Sequence, residues 1–185
     1  MMLLKKVWYF FINPCYLPLR ISTSFKKRIL YSLLGWQLLF AISIGMFAGV
    51  LQKLLALDFG EHSVTKLLEE YSGLQLLLFA VVLAPILEEV IFRGPLYFFR
   101  KWSRFKYVFY LLSFLFGIMH MFNYQNYDDA LWFAPLLVAP QLVTGIFLGY
   151  ARIKLGLLYS IALHALFNGI LVGPFLFIKL IQGLA

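Results

Sequence analysis

The chain contains, at residues 83–93, the stretch Leu83-Ala84-Pro85-Ile86-Leu87-Glu88-Glu89-Val90-Ile91-Phe92-Arg93. Two adjacent carboxylates therefore interrupt a long apolar run. An ionised carboxylate is costly in hydrocarbon unless a partner compensates for its charge. Membrane segments keep such groups where they line a polar cavity, so this stretch predicts both a transmembrane helix and a functional site.

The remaining composition is that of a polytopic membrane protein. Of the 185 residues, 63% are hydrophobic and 13% are charged, whereas a soluble domain has about 45–50% apolar and about 25% charged residues. A span needs about 20 apolar residues, and five candidate stretches occur at about 29–51, 74–99, 105–122, 131–150 and 155–181. We predict an all-α transmembrane helical bundle of five to six spans with a polar intramembrane cavity.

Charged residues alternate by sign from one connection to the next. Basic residues precede the first span and cluster in two later connections: Lys5, Lys6, Arg20, Lys26, Lys27, Arg28; Arg93, Arg100, Lys101, Arg104, Lys106; and Arg152, Lys154. Acidic residues occupy the two intervening connections: Asp58, Glu61, Glu69, Glu70, Asp128 and Asp129. This alternation follows the positive-inside rule and predicts a cytoplasmic N-terminus. It explains the net charge of +8 without nucleic acid as a partner.

Two terminal segments leave alternatives open. Residues 1–28 form a basic segment, and residues 29–185 are predicted to form a single transmembrane domain. The apolar run at 7–12 is too short for a cleavable signal, so an interfacial segment competes with a frayed basic tail. The last stretch is either one helix bent at Gly173-Pro174 or a span followed by a shorter helix.

Small residues and the single cysteine indicate packing and not chemistry. Cys15 alone excludes an internal disulfide and a thiolate metal cluster. Glycines spaced four residues apart let helix backbones approach closely, and we predict a packing role for each of the pairs Gly45/Gly49, Gly145/Gly149 and Gly169/Gly173.

Two further polar islands, at His120 and at His164 with Asn168, lie in other apolar stretches. Counted from the basic end of each span, helical rise puts Glu88 about 18 Å deep, His120 about 21 Å and His164 about 15 Å. Similar depths on three helices predict one shared cavity near the bilayer midplane.

Helical spacing separates the two carboxylates. Glu88 and Glu89 point about 100° apart, whereas Glu89 and Arg93 are four residues apart and can form an ion pair. We predict that Glu88 is the working group and that Glu89 with Arg93 is largely structural support. The alternative is that both glutamates serve packing or ion pairing alone.

The polar groups suit hydrolysis by water. Burial in an apolar cavity strengthens a carboxylate as a base, so Glu88 is a candidate general base and His120 can position the water or share its proton. His164 and Asn168, which share a helix face, can donate hydrogen bonds to an oxyanion. No serine or cysteine stands out as a nucleophile, which favours direct attack of water on a peptide bond.

Three motifs, in this order on successive helices, resemble the CPBP family of intramembrane endopeptidases: Glu88-Glu89-x-x-x-Arg93, Phe116-x-x-x-His120 and His164-x-x-x-Asn168. This family is related to the type II CAAX prenyl protease and to bacteriocin-processing and self-immunity proteins. The resemblance covers about residues 75–172, and Gly149-Tyr150-Ala151-Arg152 also fits the family.

The resemblance implies an all-helical glutamic protease whose site opens toward the cytoplasm. Its implied roles are water activation by Glu88 and His120, oxyanion stabilisation by His164 and Asn168, and support from Glu89. It also implies a peptide or protein substrate, either lipid-modified, such as a prenylated tetrapeptide tail, or a bacteriocin leader or sorting-tag protein. Membrane lipids are the other expected partners. The short chain without a retention tail favours a bacterial inner membrane.

Two rival interpretations remain. Glu88, His120 and His164 are possible zinc ligands, but the helical signature His-Glu-x-x-His is absent, so we expect no cofactor. A transporter with a midplane polar site, or an immunity protein that binds without cleaving, is the non-catalytic alternative. No internal repeat of the kind common in transporters is found.

Overall fold

A computed structural model describes residues 2–60, 70–126, 128 and 131–181. Glu61, Glu69 and Asp129, from the predicted acidic connections, lie outside this part. Every regular element within it is helical, and the elements follow in this order: α1 (Met2–Ile12), α2 (Thr23–Leu54), α3 (Gly73–Leu76), a π-helical segment (Leu77–Leu83), α4 (Ala84–Phe92), a 3₁₀ turn (Pro95–Tyr97), α5 (Phe105–Met119), 3₁₀ turns at His120–Asn123 and Leu131–Phe133, α6 (Ala134–Leu137), α7 (Ala139–Lys154) and α8 (Leu157–Ile181).

Four helical segments of the described chain are long and apolar enough to cross a membrane, and there are five if a bent helix pair is counted as one span. Four are continuous, at Thr23–Leu54, Gly73–Tyr97, Phe105–Asn123 and Leu157–Lys179. The fifth joins α6 to α7 with a bend of 41°, next to Pro140, which has no N–H and disfavours helix in the residue before it. The predicted all-α transmembrane bundle is confirmed, at the lower end of the predicted number of spans.

The two open alternatives at the chain termini are resolved. Pro174 lies within α8, which runs as one helix to Ile181. Residues 2–12 form helix α1 and bury Val7 and Phe10. The Phe10 ring packs edge-on against Phe109 at 5.1 Å and Tyr150 at 5.3 Å. The N-terminal segment is therefore a helix docked on the bundle, and the frayed-tail alternative is wrong.

The segments that carry the basic clusters meet at one end of the bundle. The backbone N–H of Leu19 donates to the carbonyl of Lys154 at 2.9 Å, and Lys26 Nζ donates to the carbonyl of Leu155 at 3.3 Å. The Tyr16 ring packs edge-on against Phe105 at 5.9 Å. This arrangement brings together the connections that the charge pattern assigned to one side of the membrane.

Helix α7 is the centre of the bundle and contacts α1, α2, α5 and α8. Gly145 and Gly149 of α7 permit the close approach of the neighbouring helix α5. A Cβ at Gly149 would lie 2.5 Å from Phe109 Cε2, and one at Gly145 would lie 3.3 Å from Phe116 Cδ1. The predicted packing role is confirmed for this pair.

The other two glycine pairs behave differently from the prediction. Gly169 meets Val81 of the π-helical segment, where a Cβ would be 3.4 Å from Cγ1. Gly49 and Gly173, in contrast, have no heavy atom within 4 Å of such a Cβ. The packing interpretation is wrong for these two positions, and Gly49 lines an internal cavity instead.

Candidate active site

Glu88 and Glu89 occupy two different environments on α4. The Glu89 side chain is 0% exposed, whereas the Glu88 side chain retains 20% exposure. Their directions differ because successive residues of a helix are about 100° apart. One carboxylate is therefore enclosed by protein and the other borders open space.

Three partners from two helices hold Glu89. Arg93 Nη1 lies 3.3 Å from its Oε1, His164 Nδ1 lies 3.2 Å from the same oxygen, and the Ser160 hydroxyl contacts Oε2. Ser160 Oγ also lies 2.9 Å from the carbonyl oxygen of Leu148. The predicted ion pair between Glu89 and Arg93 is confirmed, and both oxygens of this carboxylate are engaged.

Arg93 fastens α4 to the neighbouring helices. Its guanidinium carbon lies 3.8 Å from the centroid of the Phe116 ring, and its Nη2 donates to the carbonyl of Gly145 at 3.5 Å. The backbone carbonyl of Arg93 accepts a hydrogen bond from Arg152 Nε at 3.0 Å. A fully buried cation is thus satisfied by charge, by an aromatic face and by a backbone oxygen.

The hydrogen bond of His120 fixes its tautomer. Its Nδ1 lies 2.8 Å from the carbonyl oxygen of Phe116, one turn earlier. A carbonyl oxygen only accepts, so Nδ1 carries the proton and the neutral ring has its lone pair on Nε2. The Phe116 ring packs against the imidazole at 4.9 Å between centroids. In the neutral ring, Nε2 is therefore the nitrogen that can accept a hydrogen bond.

His164 spans the two carboxylates. Its Nδ1 lies 3.2 Å from Glu89 Oε1, and its Nε2 lies 3.8 Å from Glu88 Oε2. Because Nδ1 donates to Glu89, Nε2 can donate to another group only when the ring carries its second proton. The imidazole therefore couples the enclosed carboxylate to the one at the cavity.

Asn168 connects α8 to the π-helical segment. Its Nδ2 donates to the carbonyl of Ala80 at 2.9 Å. That carbonyl lacks a helical partner, because the N–H of Ala84 donates to Phe79 and the next residue, Pro85, has no N–H. One proton of the Asn168 amide is thereby used, and the amide carries a second.

A cavity of about 870 Å³ adjoins these side chains. Glu88, His120, His164 and Asn168 line it, together with residues of α2 and α7. Glu89 and Arg93 are not among the lining residues. The structure therefore brings all six predicted site residues together, four at the cavity wall and two behind it.

The depth calculation was wrong for the second span. It assumed a continuous helix from Glu88 to Arg100, but α4 ends at Phe92 and a turn at Gly94 leads into the 3₁₀ turn. Glu88 therefore lies only four residues from the end of its helix. The helical rise from Arg100 therefore does not measure the position of Glu88 along this span.

Sequence reasoning missed several polar residues of the site, among them Ser160, Thr144 and Gln141. Ser160 lies four residues before His164 and eight before Asn168, so a search for polar residues on one helix face would have found it. Thr144 and Gln141 line the cavity from α7, and Thr144 Oγ1 and Gln141 Oε1 are buried without a hydrogen-bond partner among the described residues. Their polar character within an apolar span was the available signal.

Glu88, His120 and His164 line the same cavity but are not arranged as a metal-binding group. Within the described ranges, no group of three or more His, Cys, Asp or Glu side chains is arranged to hold a metal ion. Of the three possible zinc ligands, His164 directs Nδ1 to Glu89.

The fold and the site together define a polytopic membrane protein of helices with acids, imidazoles and an amide gathered at one cavity. A family model described as Type II CAAX prenyl endopeptidase Rce1-like matches residues 71–170. This match covers more than half of the chain and all six predicted site residues, so the chain belongs to that family of CAAX-type intramembrane proteases. No curated protein matches the chain, and no solved structure matches it.

Proposed function

We propose that this integral membrane protein is a glutamic-type endopeptidase that hydrolyses a peptide bond with a water activated by Glu88 and His120. The observation that carries the proposal is the difference in environment between the two adjacent carboxylates. Glu89 is enclosed by Arg93, Ser160 and His164, whereas Glu88 borders the cavity. A general base must reach water, and only Glu88 of this pair does so.

In the proposed reaction, Glu88 takes a proton from the water as its oxygen attacks the carbonyl carbon of the substrate. His120 accepts a hydrogen bond from the same water through Nε2. The resulting oxyanion accepts a hydrogen bond from the second N–H of the Asn168 amide and, when the ring is doubly protonated, one from Nε2–H of His164. Collapse breaks the C–N bond, and the proton held by Glu88 passes to the leaving amine.

The proposed setting is a bacterial inner membrane with the N-terminus in the cytoplasm. The meeting of the basic connections at one end of the bundle supports this orientation. The proposed partners are membrane lipids and a peptide or protein substrate, with a lipid-modified tail or a leader peptide as the candidate forms. Nucleic acid is not a proposed partner.

The decisive experiment compares membrane peptides from cells carrying the wild type or Glu88→Gln. We expect at least one precursor to accumulate uncleaved in the variant while the protein remains inserted. Glu70→Gln is the matched control, because Glu70 is exposed and outside the cavity. If Glu88→Gln, His120→Ala and Asn168→Ala all process every substrate as the wild type does, the chain is a binding protein or transporter instead.

We further propose that hydrolysis requires no bound metal. The placement of the donors supports this, since no three His, Cys, Asp or Glu side chains of the described residues are grouped to hold one metal ion. Elemental analysis of the purified protein by mass spectrometry tests it. Zinc present in a one-to-one ratio, and lost and regained together with activity, would establish the metal-dependent alternative.

A further inference from the structure

We propose that the part of the cavity wall formed by α2 and α7 is the binding site for an extended segment of the substrate. Gly45 and Gly49 of α2 form one side, and Gln141 and Thr144 of α7 supply hydrogen bonds to the substrate backbone. This inference rests on the proposed function, because it assigns the peptide that Glu88 and His120 would cleave to a defined surface.

The first observation concerns the polar atoms of α7. Thr144 is 3% exposed, and its Oγ1 has no hydrogen-bond partner among the described residues. Gln141, one turn earlier, is partly exposed, but its Oε1 is buried and also lacks a hydrogen-bond partner among the described residues. A buried polar atom without a partner is costly, and native proteins keep few of them. Both residues line the cavity, so a ligand in the cavity is the natural partner.

The second observation concerns the glycines of α2. Gly45 and Gly49 line the same cavity. A Cβ at Gly49 would meet no heavy atom within 4 Å, and one at Gly45 would only reach Pro140 Cγ at 4.0 Å. Glycine is unfavourable inside a helix, and packing within the chain does not require it here. Gly145 and Gly149 differ, because neighbouring side chains fill their space.

An extended peptide fits both observations. Its backbone presents N–H and C=O groups that need partners in a low-dielectric cavity. The Thr144 hydroxyl can donate to a substrate carbonyl, and Gln141 Oε1 can accept from a substrate N–H. The glycines opposite leave room for the peptide to lie flat against α2. Glu88, His120 and Asn168 border the same space, where the scissile bond would lie.

The experiment measures the precursor-to-product ratio of every peptide whose cleavage in cells depends on Glu88. Thr144→Val removes the hydroxyl at nearly constant volume and is expected to raise the ratio about fivefold, with unchanged melting of the purified protein. Thr144→Ser keeps the hydroxyl and is expected to restore cleavage. If Thr144 had a purely structural role, Thr144→Val would lower the melting temperature as well as cleavage.

The glycine face has a matched control. Gly49→Leu fills the cavity and is expected to reduce cleavage about tenfold or more by excluding the peptide. Gly35→Leu places the same side chain on the same helix at a position that also has no atom within 4 Å but lies outside the cavity. It is expected to cleave as the wild type does.

The outcomes separate this inference from the proposed function. If cleavage depends on Glu88 but Thr144→Val and Gly49→Leu process all precursors normally, the binding wall is wrong while the protease stands. If Gly35→Leu and Gly49→Leu reduce cleavage equally, the proposed binding wall is also wrong. If no cleavage depends on Glu88, the proposed function fails and this inference fails with it.

Discussion

The Asn168 amide donates to the carbonyl oxygen of Ala80 at 2.9 Å. It thereby replaces the hydrogen bond that Pro85 cannot supply. This contact ties α8 to the segment that leads directly into the two carboxylates. Asn168 therefore has two tasks in our interpretation, since one amide proton supports the backbone and the other faces the reaction.

A double-mutant cycle separates these tasks. Asn168→Leu leaves the Ala80 carbonyl without a donor, and we expect it to lower the free energy of unfolding by about 1–3 kcal/mol. Pro85→Ala supplies a backbone N–H to the same carbonyl, so the cost of Asn168→Leu should shrink in that background. Reversible unfolding in detergent measures both. Identical costs in the two backgrounds would show that the carbonyl is not what Asn168 stabilises.

Removal of Arg93 should damage stability as well as activity. Arg93→Ala strands the enclosed Glu89 carboxylate, and breaking a buried ion pair costs about 3–5 kcal/mol. Arg93→Ala combined with Glu89→Ala removes both charges and is expected to melt at a higher temperature than Arg93→Ala alone. Melting of Arg93→Ala at the wild-type temperature would contradict the importance of the pair.

Ser160→Ala tests a contact that the sequence analysis overlooked. The hydroxyl touches Glu89 Oε2 and the Leu148 carbonyl, so its loss should cost about 1–3 kcal/mol of stability. Cleavage should fall while insertion persists, because Glu89 positions His164. Cleavage at wild-type rates in Ser160→Ala would mean that Arg93 and His164 hold Glu89 without help. Ser43→Ala, on an exposed stretch of α2, is the control for a serine lost elsewhere.

Close packing at α7 predicts a destabilising Gly149→Ala. The new Cβ would lie 2.5 Å from Phe109 Cε2, and forcing such an overlap costs about 1–3 kcal/mol. Phe109→Leu in the same chain should recover part of the loss by opening space. Gly35→Ala has no neighbour to displace and should be neutral or stabilising. Thermal unfolding of the four proteins provides the comparison, and neutral Gly149→Ala would refute the tight approach.

The predictable part of the site depended on helical spacing. Residues four apart share a face, and this brought Glu89 to Arg93 and Phe116 to His120 as expected. The same rule applied to Ser160 would have added the third partner of Glu89. Helical periodicity predicts these contacts because both residues of each pair lie on the same helical segment.

The remaining features arise from contacts between helices, which periodicity does not encode. The π-helical segment at Leu77–Leu83 and the early end of α4 changed the depth of Glu88. The roles of Gly49 and Gly149 differ only because Phe109 fills one space and nothing fills the other. The catalytic roles of the six site residues stay predictions until the substitutions are made.

The bridging position of His164 has a consequence for genetics. One imidazole lies 3.2 Å from Glu89 Oε1 and 3.8 Å from Glu88 Oε2, so the charges of the two acids are coupled through it and a substitution of either acid affects the other. Replacing Glu89 will reorient the ring and change how Glu88 performs, which mimics the phenotype of losing a general base. An alanine scan that considers each position separately would therefore assign the role of general base to Glu89 as well as to Glu88.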